Sequence, residues 1–286
     1  MSRPMRTFLI FFSGAEKKGA FLTKKPNVIK FQDRKRKPHG KIRNIPNPLA
    51  TFISYIISLI QFAMPADFEK QSYWHERFKS ETSFEWLASS GSFMAIIEPQ
   101  LSELARIKGN TPKILQLGSG TSDLQNYFRA NDYPDVTNVD YEPLAIERGR
   151  QLEEAAFGDV RMKYIVADAT QITSSLPQDK RFDLVVDKST VDAVSCGGTT
   201  AFLRMALGVR RYLAEGGIWI SLSYSSSRFD IEELPFDVEV IAKILTPKLK
   251  EHDPDVYHHC YLLRPKPVDS QREEWYRDSW RSVIKV

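Results

Sequence analysis

Cysteine is nearly missing from this chain. Its two copies, Cys196 and Cys260, lie far apart and match no ligand or redox spacing. That excludes a disulfide framework and a thiolate metal site, and fits isolated thiols in a reducing compartment. Histidine is also scarce, with His39 in the N-terminal region and His75, His252, His258 and His259 beyond it. The adjacent pair His258-His259 precedes an expected strand, where neighbouring side chains point to opposite faces, so the two cannot share an ion. No metal is needed. Apolar runs are short as well: Leu49–Met64 is sixteen residues without a charge, interrupted by Ser54, Tyr55, Ser58 and Gln61. A membrane helix takes roughly 20 apolar residues, so membrane contact through 49–64 is a secondary reading. The N-terminus has a basic flank and a brief apolar run but no secretory cleavage pattern.

What is present is divided by charge. Residues 1–63 hold thirteen Lys or Arg against two acids, Glu16 and Asp33, a net +11; the rest holds 27 basic against 34 acidic residues, a net −7. Residues 1–63 read as a basic, poorly ordered extension, with Arg34–Lys37 as a lipid-binding run, a nuclear signal or a solvated tail, and 64–286 as one folded domain. An acidic body disfavours nucleic acid as a partner and fits a basic protein or a small molecule.

From Phe68 to Phe93 the chain is rich in aromatics, including Tyr73, Trp74, Phe78, Phe84 and Trp86. Helical spacing follows at Phe93, Ile96, Ile97, Leu101, Leu104 and Ile107, and stops at Gly109-Asn110. Strands and helices then alternate: strand Lys113–Leu117, helix Ser122–Asn131, strand Thr137–Asp140, helix Pro143–Phe157, strand Met162–Val166 and strand Phe182–Asp187. Helix Thr200–Leu213 is expected to stop at Gly216-Gly217 before strand Ile218–Leu222. Val238–Leu245 is ambiguous between helix and strand, and Tyr257–Leu263 reads as a late antiparallel strand at the sheet edge. Short apolar strands separated by helices indicate a doubly wound α/β fold with a mostly parallel sheet.

In such a sheet ligands bind beyond the carboxyl ends of the strands. Leu117-Gly118-Ser119-Gly120-Thr121-Ser122 is a strand running into a glycine turn, and Asp140 ends the next strand about twenty residues later. The turn brings backbone N–H groups to a nucleoside, and the carboxylate takes the ribose hydroxyls. There is no third glycine, which favours a ligand without a pyrophosphate. Tyr141 is placed to cover a base. Asp168, in Val166-Ala167-Asp168-Ala169-Thr170, is either an adenine acceptor or a turn cap. Asp187 stands past a third strand, and Arg77, between Trp74 and Phe84, offers a charge to a ligand carboxylate.

These blocks, with Tyr73-Trp74-His75-Glu76-Arg77-Phe78, Phe84-Glu85-Trp86-Leu87 and Asp187-Lys188-Ser189-Thr190-Val191-Asp192-Ala193, resemble the class I S-adenosylmethionine-dependent methyltransferases. The resemblance runs from about Phe68 to Leu263. Within that class the chain is most similar to the elongation factor 1-alpha lysine and N-terminal methyltransferases and the citrate synthase lysine methyltransferase. Ser189 stands where related enzymes have Gly, and Ser119 where they have Cys. The resemblance implies a seven-stranded Rossmann-like sheet with an antiparallel last strand and S-adenosyl-L-methionine as cofactor. It places Gly118 and Gly120 against the methionyl part, Asp140 on the ribose, and Asp168 and Ala169 beside adenine. Asp187 and Lys188 would line the mouth, Arg77 would sit near the cofactor carboxylate or a lid, and Trp74 and Trp86 would serve a lid or plain packing. It implies N-methylation of lysine on a basic protein, an elongation factor first among candidates. The protein is expected to be a monomer in the cytoplasm, with a mitochondrial or membrane-associated location the alternative that the N-terminal extension leaves open. Small-molecule O- or N-methylation and non-catalytic cofactor binding are the alternatives. No general base is assigned.

Overall fold

The computed structural model describes residues 67–248 and 250–267. The expected extension 1–63, its boundary with the domain and the stretch 49–64 lie outside the described residues.

A single seven-stranded sheet has the order β3-β2-β1-β4-β5-β7-β6. The strands are β1 (Ile114–Leu117), β2 (Val136–Asp140), β3 (Lys163–Val166), β4 (Phe182–Lys188), β5 (Leu213–Ser223), β6 (Phe236–Leu245) and β7 (Tyr257–Pro265). The helices are α1 (Gln71–Phe78), α2 (Ser90–Lys108), α3 (Leu124–Ala130), α4 (Pro143–Phe157), α5 (Thr190–Cys196) and α6 (Thr199–Tyr212), with a 3-10 turn at Ala169–Ser174. The first five strands are parallel, and β7 is antiparallel to both β5 and β6. The chain builds outward from β1 through β2 to β3, then returns to the other side of β1 as β4. The switch point therefore lies between β1 and β4, where such sheets open a crevice.

Strand alternation divides the core. Leu115, Leu117, Val185 and Trp219 face a layer containing Phe202, Met205 and Val209 of α6. Ile114, Leu184, Val186, Ile220 and Leu222 face Phe93, Ile97 and Leu101 of α2 and Leu124 and Phe128 of α3. Each such side chain, once buried, contributes about 1.5–3 kcal/mol. Helix α2 begins where the Ser89 side chain accepts the Ser92 N–H at 3.2 Å and ends at Gly109, whose φ of +68° closes the last turn.

Two expectations need correction. The late strand β7 lies inside the sheet, and β6 forms the edge. Val238 and Val240 on β6 are exposed, so the apolar alternation that would have identified a strand and its place is weak there. The pair Gly216-Gly217 does not stop α6, because the helix ends at Tyr212 and β5 starts at once. The glycines lie within β5 beside an irregularity in its pairing with β4. A Cβ on Gly217 would stand 2.9 Å from the Ala214 carbonyl oxygen and 3.0 Å from that of Phe182, so close backbone approach explains the residue.

Candidate functional site

The glycine turn lies beyond β1. Gly118 and Gly120 have φ of +63° and +52°, values open mainly to glycine. The Gly118 N–H donates to the Val139 carbonyl at 2.7 Å, which folds the turn against the end of β2. There the buried Asp140 carboxylate accepts the Gly120 N–H on one oxygen and the Glu142 N–H on the other, each at 2.9 Å. One side chain thus fixes both loops of the crevice. Burial raises its pKa to about 6, against the lowering effect of these amides.

The rest of the nucleoside side follows from backbone geometry. The Ala167 N–H donates to the Asp140 carbonyl at 2.9 Å, and Asp168 accepts the Thr170 N–H at 2.7 Å, capping the 3-10 turn that begins at Ala169. Asp168 is therefore a turn cap, with its other oxygen 3.5 Å from Gln171 Nε2. Tyr141 is half-buried beside these acids; burial, Asp140 and Asp168 push its phenol pKa up.

The aromatic segment spans the same rim. Gln71 donates to the Tyr141 carbonyl at 2.6 Å, and His75 Nδ1 lies 3.0 Å from the buried Glu142 carboxylate. The Arg77 guanidinium lies over the rings of Trp86, Phe84 and Trp74 at 4.7, 4.9 and 5.9 Å. It also donates to Glu81 at 2.5 Å, and Glu81 accepts the Thr121 hydroxyl at 2.9 Å. Arg77 thus reaches the glycine turn through Glu81. Trp86 packs edge-on against both Phe68 and Trp74, the Trp74 and Phe68 rings are tilted against each other, and Trp74 Nε1–H donates to the Phe68 carbonyl at 2.7 Å.

Asp187 and Lys188 do not line a mouth together. Asp187 is fully buried, accepting the Val191 N–H at 3.0 Å and the Trp219 indole N–H at 2.9 Å, and burial raises its pKa to about 7. Lys188 points to the other face of the sheet, paired with Glu85 and donating to the Ala88 carbonyl at 3.3 Å. Burial lowers its pKa to about 7. Strand parity explains the split: Asp187 shares a face with Val185, and Lys188 with Val186.

Two further acids were not picked out from the sequence. Glu85 joins four groups at the rim. Asp192 accepts hydrogen bonds from Ser223 Oγ at 2.5 Å, Arg228 Nε at 2.9 Å, Ser189 Oγ at 3.2 Å and the Tyr224 N–H at 3.2 Å, tying the loop after β5 to α5. Their only signal was membership of the motif blocks.

These residues fit a nucleoside bearing an amino-acid group. The Ser119 hydroxyl is buried between the two glycines without a protein partner. Asp140, with one amide on each oxygen, keeps acceptor capacity for ribose hydroxyls. Among the described residues no cluster of His, Cys, Asp and Glu has metal-binding geometry.

Comparison with known proteins agrees with this crevice. A family model described as "Methyltransferase domain" matches residues 108–277. Methyltransferase srdJ of Neurospora crassa is 59% identical over 203 residues, covering 70% of this chain and 85% of that protein. EEF1A lysine methyltransferase 4 of Mus musculus is 28% identical over 177 residues, 57% of this chain and 64% of that protein. The eEF1A lysine and N-terminal methyltransferase homolog of Drosophila pseudoobscura pseudoobscura is 32% identical over 130 residues, 45% of this chain but 18% of that protein.

Proposed function

The chain belongs to the methyltransferase-domain family, and on that premise we propose that it transfers a methyl group from S-adenosylmethionine to a lysine side chain of a basic protein. The observation that carries methyl transfer is the Asp140 carboxylate, held between the glycine turn and the loop after β2. The lysine acceptor draws support from similarity to EEF1A lysine methyltransferase 4, and an elongation factor is the first candidate. The net −7 of residues 64–286 favours encounter with a basic surface.

S-adenosylmethionine, when bound, supplies an already activated methyl group. The protein must orient the acceptor nitrogen in line with it and exclude water. A lysine amine must first lose its proton; its ordinary pKa is about 10.4, and entry into a partly apolar mouth lowers it. Neither Asp187 nor Lys188 serves as base in this reading, since both are buried and engaged within the fold.

Small-molecule methylation is the second reading. In its favour, the segment after β5 is tied to the start of α5 through Arg228 and the Tyr224 N–H on Asp192, which leaves the Tyr224 side chain exposed there for a small acceptor. Incubation with methyl-labelled cofactor and cell extract, with lysines left free or dimethylated beforehand, separates the two. A labelled protein band abolished by lysine blocking and weakened by salt is the expected result. Label only in the small-molecule fraction overturns the lysine reading.

A further inference from the structure

Two carboxylates of the segment before α2 grip the three residues that follow the glycine turn. Glu81 accepts the Thr121 hydroxyl, while Glu85 accepts the Ser122 hydroxyl at 2.9 Å and the Asp123 N–H at 3.3 Å. Glu85 also accepts the Ser90 hydroxyl at 2.9 Å on the same oxygen, and its second oxygen pairs with Lys188 at the end of β4. The Lys188 side chain is 5% exposed and that of Glu85 27% exposed. This carboxylate therefore joins the aromatic segment, the start of α2, the loop after β1 and the end of β4. Those last two elements flank the switch point.

We propose that Glu85 is a positioning residue, with Lys188 as its counter-ion, and that the pair holds the aromatic segment 68–88 closed over the cofactor crevice. The inference rests on the cofactor reading above. Neither side chain needs to touch the cofactor. Their link spans the crevice, so cofactor bound between its walls and the closed segment favour each other. Gln71 and His75 fasten the same segment to the loop after β2, so it is tied to the ends of three strands. A charge left alone in such a place is costly, so removing either partner should loosen the segment more than removing both.

The test uses the full chain with S-adenosylhomocysteine as probe, read by calorimetry and by hydrogen exchange of the backbone amides in 68–88. Glu85→Gln and Lys188→Met should each weaken binding by at least about tenfold, as expected for a lost charged hydrogen bond. The double variant should bind more tightly than the product of the two losses predicts. Ligand-dependent protection of 68–88 should vanish in Glu85→Gln while that of the sheet persists. A folded Glu85→Gln protein with affinity within about twofold of wild type and unchanged protection overturns the proposal. A purely structural pair would lower the unfolding temperature and leave ligand-dependent protection intact, which also overturns it. If the variants fail to fold, wild type decides. Ligand must then protect 68–88 together with 188–196, and protection confined to the glycine turn is the contrary result. Absence of any binding to wild type would instead refute the cofactor reading.

Discussion

The side chain of Thr190 occupies the space that a side chain on residue 118 would need. A Cβ on Gly118 would stand 2.1 Å from Thr190 Oγ1 and 2.7 Å from its methyl group, while that hydroxyl donates to the Leu117 carbonyl at 2.8 Å. The first glycine of the turn is thus required by the start of α5, which locks onto the end of β1. Gly120 differs, since a Cβ there meets only Phe78 Cζ at 3.7 Å.

Gly118→Ala should therefore cost clearly more stability than Gly120→Ala. Both pay for positive φ, about 1 kcal/mol, but the former adds a clash with a β-branched side chain held by its own hydrogen bond. A loss of at least about 2 kcal/mol is expected for Gly118→Ala, measured as the shift in urea midpoint. Equal shifts for the two variants would contradict this account of the turn.

Asp140→Ala should weaken S-adenosylhomocysteine binding by at least about tenfold, because charge-assisted hydrogen bonds are worth roughly 1.5–3 kcal/mol each. It also leaves the Gly120 and Glu142 amides unpaired, so a drop in unfolding temperature is expected beside the loss of affinity. Asp140→Asn, which keeps the shape, should spare more stability than affinity. Calorimetry paired with thermal unfolding on each variant checks both halves.

Acidification should act on Asp140 in two opposite ways. Its folded pKa, about 6, lies above the unfolded value of 3.8. The fold therefore holds the proton more tightly, and the Asp140 contribution to stability improves as pH falls from about 6 toward 4. Cofactor affinity should fall over the same interval, because the neutral acid is the weaker acceptor for ribose hydroxyls. Affinity flat from pH 8 to 5 would show that Asp140 is not the ribose acceptor.

Ser189 adopts φ +68°, ψ +1°, a conformation natural to glycine. Ser189→Gly should relieve about 1 kcal/mol of backbone strain but lose the 3.2 Å hydrogen bond to the Asp192 carboxylate, worth about 1.5–3 kcal/mol. The unfolding temperature should accordingly fall by a few degrees, about 2–8 °C. Ser189→Val, which adds β-branching to positive φ, should lower it by more. Calorimetric melting of the two variants side by side decides the matter, and a Val variant as stable as the Gly variant would refute the strain.

Much of the crevice was legible because its signals are local. An apolar run ending in Gly-x-Gly, and a second ending in Asp140, are encoded by neighbours along the chain; strand period and turn chemistry act over a few residues. The α/β order and the parallel sheet follow from the same alternation. Even the parting of Asp187 and Lys188 was implicit, since adjacent strand residues point to opposite faces.

Other features depended on contacts across the whole sequence. Glu85 meets Lys188 only because β4 returns beside β1, and nothing near either residue marks the other. The insertion of β7 between β5 and β6, and the use of Gly216-Gly217 for a bulge in place of a helix stop, were fixed by strand pairing. Pattern on a chain records which face of an element is apolar. It does not record which distant backbone will complete its hydrogen bonds, and that choice is made by the packed sheet as a whole.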